Sequence, residues 1–215
     1  MILLSDFFDL FYQNVLATTP LEVIAVIFGL LSVWYAKKAN ILVYPTGIVS
    51  VLIYVYICYI YQLYADMGIN FFYFVMSVYG WYMWTRKDTY AKVRPISWNT
   101  KRQQWMGVLA TFVFFWMILG LIFYFKSDDP DYINSFIPYV DSFTTAIFLV
   151  GMLLMALKRI ENWVYWIVGD VISIPLYFIK GLVFTSFQYA VFLAIAIAGY
   201  YAWKNIYQKE NEAKV

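Results

Sequence analysis

The sequence predicts an all-α polytopic membrane protein with seven transmembrane helices, its N-terminus outside and its C-terminus inside. Of the 215 residues, 64% are hydrophobic and 13% are charged, and the mean hydropathy is +0.68. Soluble domains are about half apolar and a quarter charged, so a water-soluble fold could not bury this much apolar surface. The apolar residues fall in runs close to the 20 or so residues that a span needs, separated by short charged segments.

The first 18 residues are predicted to form an amphipathic helix on the membrane surface. Asp6, Asp9 and Gln13 fall mostly on one side of this helix, and phenylalanines surround the rest. A signal peptide would begin with a basic segment, whereas this stretch carries two aspartates.

The apolar runs predict the spans and the organisation of the chain. The runs lie at 21–37, 41–64, 67–85, 104–125, 142–157, 163–180 and 183–204, the fifth being short with a start near Pro138. The predicted domains are a first three-helix unit at 19–87, a basic loop with linker helix 4 at 88–130, a second three-helix unit at 131–206 and a tail at 207–215.

The charges between the runs predict their direction. The segment after the third run holds six basic residues against one aspartate, and the region after the fourth holds one lysine against four aspartates. Because cytoplasmic segments are enriched in Lys and Arg, the basic segments are expected inside the cell. Trp84 and Trp203 end their runs at this face, where tryptophan is typical of the interfacial belt.

Two parts of the chain repeat each other. Residues 40–56, NILVYPTGIVSVLIYVY, align with residues 162–178, NWVYWIVGDVISIPLYF, at an offset of 122. The ends of the third and seventh runs, SVYGWYMWTRK and AIAGYYAWKN, align at an offset of 119. The sequence therefore predicts two three-helix units in a 3+1+3 arrangement, parallel because the fourth span restores the direction. Parallel repeats with a substrate site between them occur in transporters such as the sugar-carrying SWEETs.

The sixth run carries polar and aromatic groups that lipid does not favour. Asn162, Trp166 and Asp170 share one helix face, and a charge near the bilayer centre costs about 3 kcal/mol. Asp170 is therefore expected to face either a ligand or a polar group of a neighbouring helix. Tyr44 and Asn40 occupy the matching face of the first copy. The predicted substrate-binding residues are Trp166, Asn162, Asp170, Asn70, Tyr73, Gln188, Asn40 and Tyr44.

Two ligand chemistries fit such a face. A sugar stacks on a ring and hydrogen-bonds to amides, and a cationic ring is held over an aromatic face by cation–π attraction. Composition leaves both open. Pro45, Gly47, Gly169 and Pro175 loosen the second and sixth helices and are predicted hinges.

The composition also excludes several functions. The chain has no histidine and one cysteine, and it lacks a Walker loop, a GxGxxG and a CxxC motif. No cofactor, metal site, enzymatic activity or ATP-driven pumping is therefore predicted. The net charge of +2 indicates no nucleic-acid partner. A membrane-embedded scaffold without transport stays open as a different class of function.

The chain resembles the PnuC family of vitamin transporters over nearly its whole length. The stretches that carry the resemblance are YPTGIVSVLIYVY, YGWYMWTRK and NWVYWIVGDVISIPLYFIKGLVFTSFQYAVFLAIAIAGYYAWKN. The resemblance implies a SWEET-like homotrimer in the bacterial inner (cytoplasmic) membrane. It further implies a carrier of nicotinamide riboside that works by facilitated diffusion, with a cytoplasmic riboside kinase trapping the cargo. Thiamine, riboflavin and a sugar are the alternative cargoes.

Overall fold

The computed structural model describes residues 12, 13, 16, 18–87 and 94–212. Its long helices are α1 (Pro20–Lys37), α2 (Val43–Ile60), α3 (Tyr64–Thr85), α4 (Lys101–Phe125), α5 (Ile137–Ala156), α6 (Asn162–Ile179) and α7 (Val183–Glu212). A one-turn helix, Pro130–Ile133, precedes α5. The predicted surface helix at residues 1–18 falls almost entirely outside the described residues.

Six of the described helices, all of these long ones except α3, are long and apolar enough to cross a membrane. Helix α3 has 22 residues, but it carries Asp66 and Asn70 and is rich in tyrosine and tryptophan, which lowers its mean hydropathy. It packs against α2 and α5, and more lightly against α4. The helix boundaries match the apolar runs closely, and α5 begins at Ile137, beside the Pro138 that marked its start.

Local sequence signals set where two of the spans begin. The Thr19 hydroxyl accepts a hydrogen bond from the Glu22 N–H, and the Glu22 carboxylate accepts one from the Thr19 N–H, at 3.2 and 2.6 Å. Thr100 and Gln103 form the same reciprocal pair at the start of α4. These capping boxes satisfy backbone donors that the first helical turn leaves free.

Two tight turns join the helices within each half of the chain, which makes four in the two halves. Each contains one residue with left-handed backbone, namely Ala39, Gln62, Lys158 and Gly181, with φ between 51° and 75°. This conformation reverses the chain directly after a helix, so consecutive helices lie antiparallel. The turns after α1 and α5 lie at one end of the bundle, here called the basic end, and those after α2 and α6 lie at the other, the acidic end.

The two halves share one constant register. Helices α2 and α6 begin at Val43 and Asn162, which are 119 residues apart (162 − 43), and α3 and α7 begin at Tyr64 and Val183 with the same separation. The left-handed turn residues obey it too, since 158 − 39 and 181 − 62 are both 119. The offset of 122 taken from the sequence comparison is therefore not the register of the helices, in which Trp163 corresponds to Tyr44.

Packing between helices follows the same register. Helix α2 packs between α1 and α3, and α6 packs between α5 and α7. Across the halves α1 packs on α7, and α3 packs on α5. Helix α4 lies on the outer side of α5, and its exposed side chains include Trp105, Leu109, Phe112 and Trp116.

The chain before α4 is anchored at the basic end. The Ser97 N–H donates to the Lys158 carbonyl, and the Ile160 N–H donates to the Ser97 carbonyl, each at 3.1 Å. The Arg159 guanidinium donates to the Ser97 hydroxyl at 2.6 Å. The last part of the basic loop is thus fixed to the turn between α5 and α6.

Candidate functional site: a cavity between the two halves

A cavity of about 470 Å³ lies between α1–α3 and α5–α7. Small-molecule sites commonly have volumes of about 300–1,000 Å³, so this cavity suits a ligand of vitamin size. Every helix of both halves contributes to its wall, whereas none of the described residues of α4 does. The site is therefore built at the contact between the halves.

Most of the predicted binding residues lie in this wall. Those that line the cavity are Trp166, Asp170, Asn70, Tyr73, Gln188 and Tyr44, together with the predicted hinge Gly47. They come from α2, α3, α6 and α7, which are distant in sequence and meet only in the fold. Rings, amides and one deeply placed carboxylate thus share a single space.

Asn162 and Asn40 are not among the residues that line the cavity. The Asn162 side-chain amide donates to the Arg159 carbonyl at 2.6 Å, and the Asn40 carboxamide oxygen accepts from the Leu42 N–H at 2.9 Å. Both residues stabilise the turns at the basic end, because asparagine side chains readily bond to nearby backbone. Both asparagines thus lie beside a helix start and bond to nearby backbone, and their contact with a ligand stays a prediction.

The predicted hinges have different local roles. Pro45 lies in the first turn of α2, where a backbone donor would be unused, whereas Pro175 is inside α6 and removes an interior hydrogen bond. A Cβ on Gly169 would collide with the Phe148 ring, and one on Gly47 would lie 2.9 Å from the Ser32 hydroxyl. Both glycines therefore allow close packing between neighbouring helices.

A ladder of stacked aromatic rings forms one wall of the cavity. Tyr177 stacks on Tyr189 at 5.1 Å, Tyr189 on Phe148 at 5.9 Å and Phe148 on Trp166 at 5.2 Å, with interplanar angles of 14–26°. Offset-stacked rings in this distance range attract one another. All four rings line the cavity. Both faces of Tyr189 and Phe148 are covered by their stacked neighbours, and the Lys180 ammonium lies 5.1 Å from the Tyr177 ring centroid. The ladder therefore offers a ligand the outer face of Trp166, to which an aromatic or cationic group is attracted.

Of the four ladder residues only Trp166 is among the predicted binding residues, and Phe148, at the centre of the ladder, had no predicted role. On α5 it belongs to a series with Asp141, Thr144, Thr145 and Met152, spaced by three, four and seven residues, and all five line the cavity. This helical spacing places them on one face. The three- and four-residue spacing of this series is present in the sequence and is the signal that indicates Phe148.

Asp170 lies deep in the cavity wall. The residue is only 2% exposed, and it lines the cavity together with Ser173, about one turn further along α6. The Ser173 hydroxyl is buried with no hydrogen-bond partner among the described residues. A carboxylate in such a place is costly unless a cation or donors accompany it, so this part of the wall is suited to a positively charged ligand.

The cavity is closed at the basic end by four rings. Tyr44, Trp84, Trp163 and Trp203 are each at most 4% exposed, and they belong to the main hydrophobic core. The expectation that Trp84 and Trp203 form an interfacial belt is therefore wrong. The ammonium of Lys158 lies 4.7 Å from the Trp84 ring centroid, and burial lowers the pKa of this lysine.

Charged groups surround the cavity at the acidic end. The Lys180 ammonium pairs with both oxygens of Asp141, at 2.6 and 2.7 Å, and the Tyr132 hydroxyl donates to the same carboxylate at 2.6 Å. Burial, followed by this hydrogen bond, raises the pKa of Tyr132. Asp141 and the exposed Asp66 both line the cavity, which gives this entrance an acidic wall.

Comparison with known proteins identifies the family. The family model described as "Nicotinamide mononucleotide transporter" matches residues 19–205. The chain is 28% identical to the nicotinamide riboside transporter PnuC of Escherichia coli K12, over 93% of this chain and 95% of that protein. It is 25% identical to PnuC of Neisseria mucosa, over 87% and 73% of the two chains. It is 23% identical to the riboflavin/roseoflavin transporter RibM of Streptomyces davaonensis, over 93% and 90%.

A solved structure supports the fold. The crystal structure of the vitamin B3 transporter PnuC superposes with a TM-score of 0.67, covering 94% of this chain and 90% of that one at 23% identity. The family match spans most of the chain and agrees with a helical bundle that carries six candidate spans. The chain therefore belongs to the nicotinamide mononucleotide transporter family, also called the PnuC family, and is a multi-pass membrane protein.

Proposed function

We propose that this protein carries nicotinamide riboside, a precursor of NAD, across the bacterial inner membrane. The observation that carries the proposal is the ladder of four stacked rings beside Asp170 in one cavity. The cargo is a pyridinium cation, and a cation over an aromatic face gains about 0.5–2 kcal/mol. The names of the relatives from Escherichia coli and Neisseria mucosa support the same cargo.

The other cavity groups match the remainder of the ligand. Asn70 and Gln188 have amides that both donate and accept hydrogen bonds, as ribose hydroxyls and a carboxamide require. Trp166 supplies the ring face nearest the basic end of the ladder, and Asp170 supplies the counter-charge. In this proposal the pyridinium ring lies against the ladder while the ribose reaches the amides.

The proposed architecture is a SWEET-like 3+1+3 bundle of seven spans with parallel repeats. The constant 119-residue register and the matching contacts of α1 with α7 and of α5 with α3 support it. The proposed orientation places the basic end in the cytoplasm, because Lys and Arg are enriched in cytoplasmic segments. The N-terminus is then outside and the C-terminus inside.

The proposed mode of transport is facilitated diffusion with intracellular trapping. A cytoplasmic riboside kinase would phosphorylate the cargo and so maintain its gradient, without a cofactor or ATP bound by this chain. A homotrimer is proposed with it, and the exposed apolar side of α4 offers a surface for a second copy or for lipid.

Calorimetric titration of the purified protein with nicotinamide riboside, thiamine and riboflavin tests the cargo. We expect binding of nicotinamide riboside, with Trp166→Ala weakening it and Val171→Ala, an exposed position on the same helix, leaving it unchanged. The relative that transports riboflavin makes riboflavin the second candidate. Binding of riboflavin or thiamine alone would overturn the proposed cargo while retaining the cavity as the site.

A further inference from the structure

We propose that Trp84 and Trp203 form a reciprocal latch that holds the cavity closed at the basic end, and that this latch is the inner gate of transport. That this gate faces the cytoplasm rests on the proposed function and orientation, whereas the closure is made by contacts within the fold. The latch joins the two halves of the chain at two symmetry-related points.

Each tryptophan donates a hydrogen bond to the backbone of the opposite half. The Trp84 indole N–H, at the end of α3, donates to the Met155 carbonyl on α5 at 3.2 Å. The Trp203 indole N–H, on α7, donates to the Ala36 carbonyl on α1 at 2.8 Å. Donors and acceptors are both separated by the 119-residue register (203 − 84 and 155 − 36). A separation of the halves at this end would break both bonds together.

The latch is the centre of a continuous row of four rings. Tyr44 contacts Trp84 at 5.1 Å, Trp84 contacts Trp203 at 5.9 Å, and Trp203 contacts Trp163 at 5.6 Å between ring centroids. The outer two rings, Tyr44 and Trp163, line the cavity and form its floor. A ligand moving from the cavity to the basic end must therefore displace this row.

Two glycines leave the space that the outer rings, Tyr44 and Trp163, occupy. A Cβ on Gly80 would collide with the Tyr44 ring, and a Cβ on Gly199 would lie 2.6 Å from the Trp163 ring. Gly80 precedes Trp84, and Gly199 precedes Trp203, by one helical turn. Each half thus packs its own floor ring against a glycine. That glycine lies one helical turn before the tryptophan that donates a hydrogen bond to the other half.

The closed row also contains polar groups that opening would satisfy. The Tyr44 hydroxyl and the Trp163 indole N–H are buried without a hydrogen-bond partner among the described residues. Such groups disfavour the state that buries them, because water or a ligand would pair with them elsewhere. Two satisfied donors therefore favour closure while two unsatisfied groups favour opening, as a gate with two accessible states requires.

Substitution by phenylalanine separates the hydrogen bond from the ring. Trp84→Phe and Trp203→Phe keep an aromatic side chain but lose the N–H, and one neutral hydrogen bond changes an equilibrium by roughly two- to tenfold. The matched control is Trp105→Phe, on the exposed side of α4 and outside the row. Gly199→Ala is a second variant, which displaces Trp163 without touching either donor.

A single reporter cysteine measures the opening. Cys58 is replaced by alanine, Met152 in the cavity wall is replaced by cysteine, and its reaction with a membrane-impermeant maleimide is followed in vesicles of both orientations. We expect each Trp→Phe variant to raise the labelling rate from the basic-end side two- to tenfold, the double variant to raise it further, and Gly199→Ala to raise it as well. Trp105→Phe should leave it unchanged.

An unchanged rate in the folded double variant would overturn the latch. Because the assay uses no cargo, its result is independent of whether nicotinamide riboside is the substrate. Control cysteines at Lys209 and Asp128 report which end faces which side. If Lys209→Cys reacts from outside the cell, the proposed orientation is wrong. The latch at the basic end is then still tested by the labelling rates of Met152→Cys in the Trp→Phe variants.

Discussion

The indole N–H of Trp203 donates a 2.8 Å hydrogen bond to the carbonyl of Ala36, 167 residues earlier in the chain. This bond joins the last long helix to the first. Its counterpart from Trp84 to Met155 joins the third to the fifth. The two halves are thus connected at the floor of the cavity, and a ligand in the cavity can pass to the basic end only if these contacts give way.

Removal of the Trp166 ring should weaken binding of nicotinamide riboside. Trp166→Ala deletes the end of the stacked ladder, and base–aromatic stacking contributes about 1–3 kcal/mol, so we expect roughly a five- to hundredfold higher Kd by calorimetry. Val171→Ala should bind as the parent protein does. Equal Kd values for all three proteins would exclude Trp166 from the site.

Removing the charge of Asp170 should selectively weaken the binding of a cationic ligand. Asp170→Asn keeps the shape of the side chain but removes its charge. Because the pyridinium nitrogen of the riboside has no N–H, the interaction lost is a charge–charge attraction, which amounts to about 4 kcal/mol for unit charges about 4 Å apart at an effective dielectric constant of about 20, so a Kd at least about tenfold higher is expected. Asp66→Asn, at the exposed entrance, should change the Kd less, and less still at high salt. An unchanged Kd in Asp170→Asn would show that this carboxylate does not face the cation.

Adding a methyl group at Gly169, where α6 packs closely against the Phe148 ring of α5, should destabilise the fold. Gly169→Ala drives a methyl group into the Phe148 ring, and overpacking of a core costs about 1–3 kcal/mol. The control is Gly120→Ala on α4, where an added Cβ meets nothing within 4 Å. It should be neutral or stabilising, because glycine inside a helix costs about 0.5–1 kcal/mol relative to alanine. Thermal unfolding in detergent compares the two, and a lower Tm for Gly120→Ala would contradict the argument.

The stability of the protein should fall more when Asp141 of the ion pair at the acidic end is replaced than when Lys180 is replaced. Lys180→Met removes one partly exposed partner and should cost about 0.2–1 kcal/mol. Asp141→Asn weakens the interactions with both Lys180 and Tyr132, and we expect a larger drop in Tm. A larger loss in Lys180→Met would show that the carboxylate is not the centre of this cluster.

Much of the fold could be predicted because membrane helices are specified locally. A run of about 20 apolar residues must satisfy its backbone within its own helix, so length and hydropathy place the element. Pro138 marked the start of α5 for a similarly local reason, since proline is tolerated in a first turn. The polar face of α6 likewise predicted that Trp166 and Asp170 face an interior.

The register of the two halves could not be predicted in the same way. Asn40 and Asn162 share a residue type but lie at different positions of the corresponding turns after α1 and α5, one and four residues after the left-handed residue. Matching the two letters therefore gave an offset of 122. The backbone fixes the offset at 119 through helix starts and left-handed turns. Chain reversal is a geometric requirement that several residue types satisfy, and sequence identity is a weak guide to it.

That the chain crosses a membrane, where its helices lie and which helix faces are polar can be read from the residues alone, because these properties depend on neighbouring residues along one helix. Which rings meet depends on the packing of the helices in three dimensions. Trp84 and Trp203 lie at helix ends, where a belt at the lipid surface was expected, yet both are buried against the opposite half. The position of a residue along a helix does not specify which neighbour lies beside it, since that depends on contacts between helices more than a hundred residues apart.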